Sequence, residues 1–257
     1  MEATKNLEVR KAAATTVPAA TALASLESLK ETAQRLTYRR VHSEDDLQEI
    51  GMLRQKAFDA RQVYLEKFGS AVIEPIDRES NTYLFGVYDG SNLVASVRLN
   101  RLEEGSRPTP VQDIFADYLA PLLSQGLSFI DPSRLVVDPD MTDSLPGLAL
   151  LTLRLGPLAT RCLDADYCLA AVKKEHTPFY RRVFQMTRMA GPIEPDHMRV
   201  QAYLLAVAQS TWPDLVRRYP AFHYSETEGR LLFQNASNGL PYLSVAPTIG
   251  LDAVASQ

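Results

Sequence analysis

Residues 83–102 read YLFGVYDGSNLVASVRLNRL. Tyr83 to Tyr88 and Leu93 to Leu102 are β-rich runs, and Asp89-Gly90-Ser91 between them tolerates the positive φ of a tight turn. Two antiparallel strands are predicted, and a hairpin excludes an all-parallel sheet. Upstream, LTYRRV (36–41) alternates like a strand. Ser43, followed by Glu44, Asp45 and Asp46, puts a capping hydroxyl and negative charge at a helix start, and Leu47, Ile50, Leu53, Ala57 and Phe58 continue it to about residue 61. Leu23, Leu26, Ala33 and Leu36 space out an earlier amphipathic helix.

Downstream, 103–110 reads as a loop, 111–123 as a helix, and 127–137 as a strand in which Pro132 predicts a bulge, because proline cannot donate to a ladder. A Leu-rich helix is expected over 145–163, broken or kinked at Pro157, then a strand at 167–172, a short helix from Thr177-Pro178 and a strand over 186–193. The order describes an α+β fold with a mostly antiparallel central sheet flanked by helices, one sheet holding residues 36–194. Residues 1–35 read as a flexible leader with an amphipathic helix. Residues 195–257, with a helix around Trp212, read as a C-terminal extension.

The chain has 257 residues, 46% of them apolar, which is enough for a packed core. Its 27 basic and 31 acidic residues give a net charge of −4, so the sequence-wide positive field of a nucleic-acid binder is absent. Cys162, Cys168 and four scattered histidines offer no paired-ligand spacing, which argues against a metal site or a disulfide framework and suits a reduced, cytoplasmic setting. No apolar stretch reaches membrane-spanning length, and no apolar leader opens the chain.

Four short strings fall where such a fold would line a cleft: LRQKAF at 53–58, IEPID at 73–77, SVRL at 96–99 and FIDPSRLVVD at 129–138. They concentrate Glu74, Asp77, Asp131, Arg98 and Arg134 on strands and turns that would otherwise be apolar, and such groups must be paired or functional. For each residue alone, an ion-pair network fastening a loop over the sheet is the simpler reading. Jointly they point to a site.

The order and spacing of these strings resemble the acyl-homoserine-lactone synthases and N-acyl amino acid synthases, branches of the GNAT acyltransferase fold, over roughly residues 37–192. The resemblance implies site roles for Arg54 and Phe58 of the first long helix, the acidic pair Glu74 and Asp77, the strand arginine Arg98, and Phe115. The family's Glu-x-Ser-Arg strand motif is represented by Asp131, Ser133 and Arg134, followed by Val137. HTPFYRR at 176–182 is similar to a late helix of the N-acyl amino acid branch. Tyr64 stands where lactone synthases carry Trp, Glu74 where they carry Asp, and Asp131 where they carry Glu.

The resemblance implies an N-acyltransferase that joins a fatty acyl group, delivered as an acyl-phosphopantetheine thioester on an acyl carrier protein or CoA, to an amino acid's amine, with no tightly bound cofactor. Homoserine-lactone synthesis from S-adenosylmethionine and non-catalytic acyl or carrier binding are the alternatives. Amide formation needs a neutral amine, so a carboxylate must take the ammonium proton. Asp131 and Glu74 are the candidates. Ser133 is placed to position substrate or the leaving thiol, and Arg98 or Arg134 suits an amino-acid carboxylate.

The glycine-rich phosphate loop usual in the GNAT fold is missing: 138–151 reads DPDMTDSLPGLALL, with Gly147 alone. A helix start near Leu145 remains as a phosphate site. Lys173, Lys174, Arg181, Arg182 and Arg188 read equally well as a landing patch for an acidic carrier or as solvated charges.

Overall fold

The computed structural model describes residues 25–61, 71–194, 201–233 and 243–249. The leader before Ser25 lies outside the described residues. Helix α1 (Leu26–Arg35) is N-capped by Ser25, whose hydroxyl accepts from the Ser28 amide. β1 (Leu36–Arg40) follows, then α2 (Glu44–Arg61), where Ser43 caps the Asp46 amide and three acidic residues occupy the first turn. The hairpin is β2 (Thr82–Asp89) and β3 (Asn92–Leu102), closed by Gly90-Ser91. Gly90 has φ +61° in the first central position of the loop, where a two-residue turn of this kind places glycine.

The helix expected over 111–123 is two helices, α3 (Pro110–Ile114) and α4 (Ala116–Ser124), separated by Phe115 at φ −120°, ψ 34°. β4 (Phe129–Val137) leads through a turn to α5 (Leu148–Leu153) and α6 (Leu155–Cys162). The single long helix expected over 145–163 is therefore corrected: the break falls at Arg154, and Pro157 sits in the first turn of α6, where its missing N–H costs nothing. β5 (Tyr167–Lys173), α7 (Thr177–Val183) and β6 (Thr187–Ile193) come next, then β7 (Ala202–Ala208), α8 (Trp212–Arg218) and α9 (Glu226–Phe233).

The strands form one seven-stranded sheet in the order β1-β2-β3-β4-β5-β7-β6. β7 inserts between β5 and β6, so the sheet expected to end at residue 194 runs on to Ala208. All neighbours are antiparallel except β4 and β5, which run parallel and pair only through Phe129–Tyr167 and Ile130–Cys168. Beyond Ile130 the two strands part. Pro132, with no N–H to give a ladder, sits just where that pairing stops.

One face of the sheet carries the main core, with Phe85, Val97, Leu99 and Ile130 packed against leucines of α5 and α6. Arg154, fully buried at the junction of those helices, donates to the Ala221 and His223 carbonyls at 2.7 Å and pairs with Glu228 at 2.6 Å. Losing one partner of such a buried pair costs about 3–5 kcal/mol, so this contact fastens the chain after β7 to the sheet. The other face is covered by α2 through Leu53, Ala57 and Phe58 and by α3–α4 through Val111, Phe115 and Leu119. Between those two patches the sheet face is polar. No helix among the described residues is long and apolar enough to cross a membrane.

Candidate active site

Side chains directly opposite one another in neighbouring strands share a face. On the α2 face two polar rows therefore cross the sheet, Leu84–Arg98–Ser133 and Thr82–Asn100–Asp131, each running over β2, β3 and β4. The register shifts between Ser96 and Arg98: Val97 of β3 faces both Arg134 and Leu135 of β4. This is a one-residue bulge, two positions beyond the proline that sequence led one to expect, and Arg134 adopts φ +50° within it. The extra residue interrupts alternation. Ser133 and Arg134, consecutive in sequence, both bond partners on the α2 face.

Downstream of the bulge the faces exchange. Val136 packs with Leu53 and Phe58 under α2, whereas Val137 joins the main core. The expectation that Val137 lines the site is corrected accordingly: unbroken alternation from Ser133 would have brought it there, and the bulge turns it away.

Three guanidinium groups meet two carboxylates above the polar rows. Arg54, fully buried on α2, grips Asp77 through Nη1–Oδ2 at 2.7 Å and Nη2–Oδ1 at 3.1 Å. Arg134 grips Glu74 through Nε and Nη2 at 2.6 and 2.5 Å. Arg98, 1% exposed, joins the two pairs: Nη1 reaches Glu74 at 2.9 Å and Asp77 at 3.1 Å, and Nε donates to Ser133 Oγ at 3.0 Å. Glu74 caps and Asp77 lies within a 3-10 turn, Pro75–Arg78, and the Glu74 amide donates to Asp77 Oδ2 at 2.8 Å, so both carboxylates are held rigidly. Forked pairs of this kind combine strength with fixed direction.

The acids differ sharply in proton affinity. Burial works to raise the Glu74 pKa, but hydrogen bonds and charge from Arg134, then Arg98, outweigh it and hold the group at about 2. Asp77 is likewise held down, its burial offset first by Arg54. Asp131, 3% exposed, has no forked partner: burial pushes it up to about 7 against the weaker pull of the Arg98 charge and the Thr109 hydroxyl. Glu74 is thus a poor proton acceptor near neutrality and Asp131 a well-matched one. Three guanidiniums thus face Glu74 and Asp77, with Asp131 close enough to feel the Arg98 charge.

The remaining expected residues divide between the two faces. Phe58 lies under α2, and Phe115 packs beside Phe129 in the neighbouring patch. Tyr64 lies outside the described residues. Where β4 and β5 part, a cavity of about 10 Å³, roughly room for one water, is lined by Pro132, Cys168, Leu169, Tyr180, Phe184 and Met186. Pro132 is the next residue after Asp131, so carboxyl and cavity lie on opposite sides of one strand.

The helix start expected near Leu145 falls at Leu148, after Gly147 at φ +81°, and α5 has only six residues. In the turn before it, Lys56 is held by Asp138 and Asp140 at 2.7 and 2.8 Å. That loop is acidic and is no ready phosphate cradle. Lys174, Arg181, Arg182 and Arg188 are exposed and Lys173 half-buried, with Arg181 and Arg182 on the helix whose Tyr180 lines the cavity. Cys162 and Cys168 are inert packing thiols, pushed by burial to about 11 and about 12. His176 is buried, which lowers its pKa.

The family model described as N-acyl amino acid synthase FeeM matches residues 49–208, more than half of the chain. The chain belongs to the FeeM family. Its fold is similar to that of FeeM, an N-acyl amino acid synthase from uncultured soil microbes, at 16% identity and a TM-score of 0.58, covering 70% of this chain and 94% of that one. It is also similar to the CoA-dependent acyl-homoserine lactone synthase BjaI, solved with SAM and isopentyl-CoA, at 16% identity and a TM-score of 0.54 over 71% and 89% of the two chains. The AHL synthase LasI gives 15% identity and a TM-score of 0.51 over 68% and 89%. No curated protein matches the chain in sequence. The protein is an acyltransferase with a GNAT-like fold.

Asn100 and Thr109 escaped the sequence reading. The register signal for Asn100 was present, two residues after Arg98 on the same strand face, but a lone asparagine in a strand carries no chemical signature.

Proposed function

We propose that this acyltransferase joins a fatty acyl group from a phosphopantetheine thioester to the α-amine of an amino acid. The observation that carries this reading is Asp131: a buried carboxyl with a pKa near 7, beside a cluster of three guanidiniums and two carboxylates. The acceptor's carboxylate binds by taking over a guanidinium bond that Arg98 or Arg134 otherwise gives to Ser133 or Glu74, as a planar fork allows. Asp131, in its ionised form, takes a proton from the acceptor's ammonium. The neutral nitrogen attacks the thioester carbonyl, the C–N bond forms and the C–S bond breaks. One proton leaves with the thiol and the proton on Asp131 returns to solvent, so acid thioester and ammonium give amide, thiol and H⁺. Ser133, bonded to Arg98, is placed to orient the acceptor or the thiol.

The acyl chain enters where β4 and β5 separate. The present cavity is far too small for a fatty chain, so binding must part Tyr180, Phe184 and Met186. An acidic loop in place of a phosphate cradle favours a donor without a nucleotide, and exposed Lys174, Arg181 and Arg182, the two arginines on the helix whose Tyr180 lines the cavity, offer a landing patch for an acidic acyl carrier protein. Mass spectrometry of products from purified protein, long-chain acyl carrier protein and mixed amino acids tests the reading. Acyl amino acids with stoichiometric thiol release are expected. Acyl lactones formed only with S-adenosylmethionine, or no product with any amine, would overturn it.

A further inference from the structure

Thr82, Asn100 and Asp131 form one buried row across β2, β3 and β4, each directly opposite the next. The Thr82 hydroxyl donates its single proton to the Ile76 carbonyl at 2.7 Å, so toward Asn100, 2.6 Å away, its oxygen is an acceptor. This fixes the asparagine amide: Nδ2 points toward β2, and Oδ1 is left for the β4 side. Oδ1 is buried, and no amide, hydroxyl or guanidinium of the described residues donates to it.

Across from Asn100 stands Asp131. Opposed residues of an antiparallel pair hold their Cβ atoms about 4.5–5.5 Å apart, which brings a carboxyl and an amide oxygen within reach of one hydrogen bond. That bond needs the carboxyl's proton, because an ionised Asp131 and Asn100 Oδ1 are both acceptors. Other neighbours act in the opposite sense. Thr109, whose side chain belongs to the capping box of α3, gives Asp131 a hydroxyl bond that favours the ionised form, and so does the Arg98 charge on β3. Cys168 of β5 lies near as a neutral thiol, pushed to about 12. Arg54 of α2 and Glu74 and Asp77 of the 3-10 turn are engaged with one another and with Arg98. Asn100 is the member of the row that favours the protonated carboxyl.

We propose that Asn100 is the positioning residue of the base: its Oδ1, aimed by Thr82, accepts the O–H that Asp131 carries once it has taken the acceptor's proton. The inference rests on the reading of Asp131 as the base and deepens it by naming what makes that carboxyl a proton acceptor. The proton passes from the ammonium nitrogen to a carboxylate oxygen, the new O–H turns to Asn100, and the proton leaves to solvent when Asp131 ionises again. Without the Thr82 hydroxyl the amide is free to turn over and present Nδ2–H to the carboxylate, which favours the ionised form and weakens the base. Thr82 sits two strands from Asp131, so its effect travels through Asn100.

Carbon-13 NMR of labelled aspartate carboxyls, with Asp131 assigned by its loss in Asp131→Asn, tests this in the wild type, Thr82→Val, Thr82→Ser and Asn100→Leu. The wild-type carboxyl should titrate near 7. In Thr82→Val and Asn100→Leu the midpoint should fall by about one pH unit, the effect of one hydrogen bond to the neutral form, and Thr82→Ser should titrate as the wild type does. The apparent pKa in kcat/KM for the amino acid should move with it. Thr82→Val leaves the Ile76 carbonyl its bond from the Glu79 amide at 3.2 Å. Should both variants fail to fold, the wild type decides: the Asn100 side-chain amide resonance should shift with the midpoint of the Asp131 carboxyl. A midpoint unmoved in both variants, with only a lower Tm, would mean a structural role and overturn the proposal, as would an Asn100 resonance indifferent to pH. The titration needs no substrate. If no acyl amino acid forms, the substrate reading falls and takes the catalytic role of Asn100 with it, whereas product formation with an unmoved midpoint overturns this inference alone.

Discussion

At the scale of the residue, Asp131 and Glu74 show how environment divides roles that chemistry alone leaves open. Both are acids in strings that pointed to a site, and both were candidates for the base. Glu74 lies between two guanidiniums and stays ionised to about pH 2, whereas Asp131 is buried with no ion pair among the described residues and holds its proton to about 7. The sign of the stability effect follows. A carboxyl raised on folding favours the folded state below its unfolded pKa of 3.8, and that contribution is lost as pH rises through 7. Asp131→Asn should therefore match the wild type near pH 4 and be the more stable protein at pH 8, by up to a few kcal/mol. Chemical denaturation at both pH values measures this; equal wild-type and variant midpoints at pH 8 would mean that Asp131 ionises without penalty. The site acids were legible as residue types, because charge in a half-buried sheet demands an explanation. Which acid keeps its proton was not, since that depends on Arg134 reaching Glu74 from a bulge that Pro132 announces but whose position, two residues on, the sequence does not fix.

At the scale of the element, the parting of β4 and β5 bounds the proposed acyl side of the site. Strand periodicity located both strands, and Pro132 signalled an irregularity, but parallel pairing confined to two residues is a tertiary outcome that local patterns do not encode. The same holds for the break at Arg154, where burial of the guanidinium among carbonyls of the distant C-terminal segment stops a helix that composition would have continued. α6 plugs the wedge closely: a Cβ on Gly156 would lie 2.8 Å from Pro132 Cγ and 3.2 Å from Cys168 Sγ. A rigid proline ring cannot yield. Gly156→Ala, which in an exposed helix would gain about 1 kcal/mol, is expected to lose about 1–3 kcal/mol here, read as a lower Tm. A higher Tm would show that the wedge is loosely packed.

At the scale of the whole molecule, net charge −4 excludes a diffuse basic surface, so the proposed docking of an acidic carrier rests on a local patch. Lys174, Arg181 and Arg182 stand exposed, the two arginines on the helix whose Tyr180 lines the apolar cavity. Reversing their charge should raise KM for carrier-bound donor at least tenfold and invert its salt dependence, so that added salt lowers it, while a small thioester donor is used as before. Exposed charges act over a screening length of about 10 Å at 0.1 M salt, which is why the salt dependence reports them. Equal losses with both donors would point to damaged folding instead. The central claim joins all three scales: the proposal is that a buried carboxyl, on the strand that parts from its neighbour, deprotonates an amine held in an acyltransferase fold. Its most direct test is the pH dependence of kcat/KM for the amino acid in the wild type and in Asp131→Asn. The wild-type value should climb through an apparent pKa near 7, and the variant should fall by roughly 10²–10⁴-fold at neutral pH, with the deficit shrinking as alkali deprotonates the amine unaided. A variant that retains near-normal rates at pH 7, with the same pH profile, would contradict it.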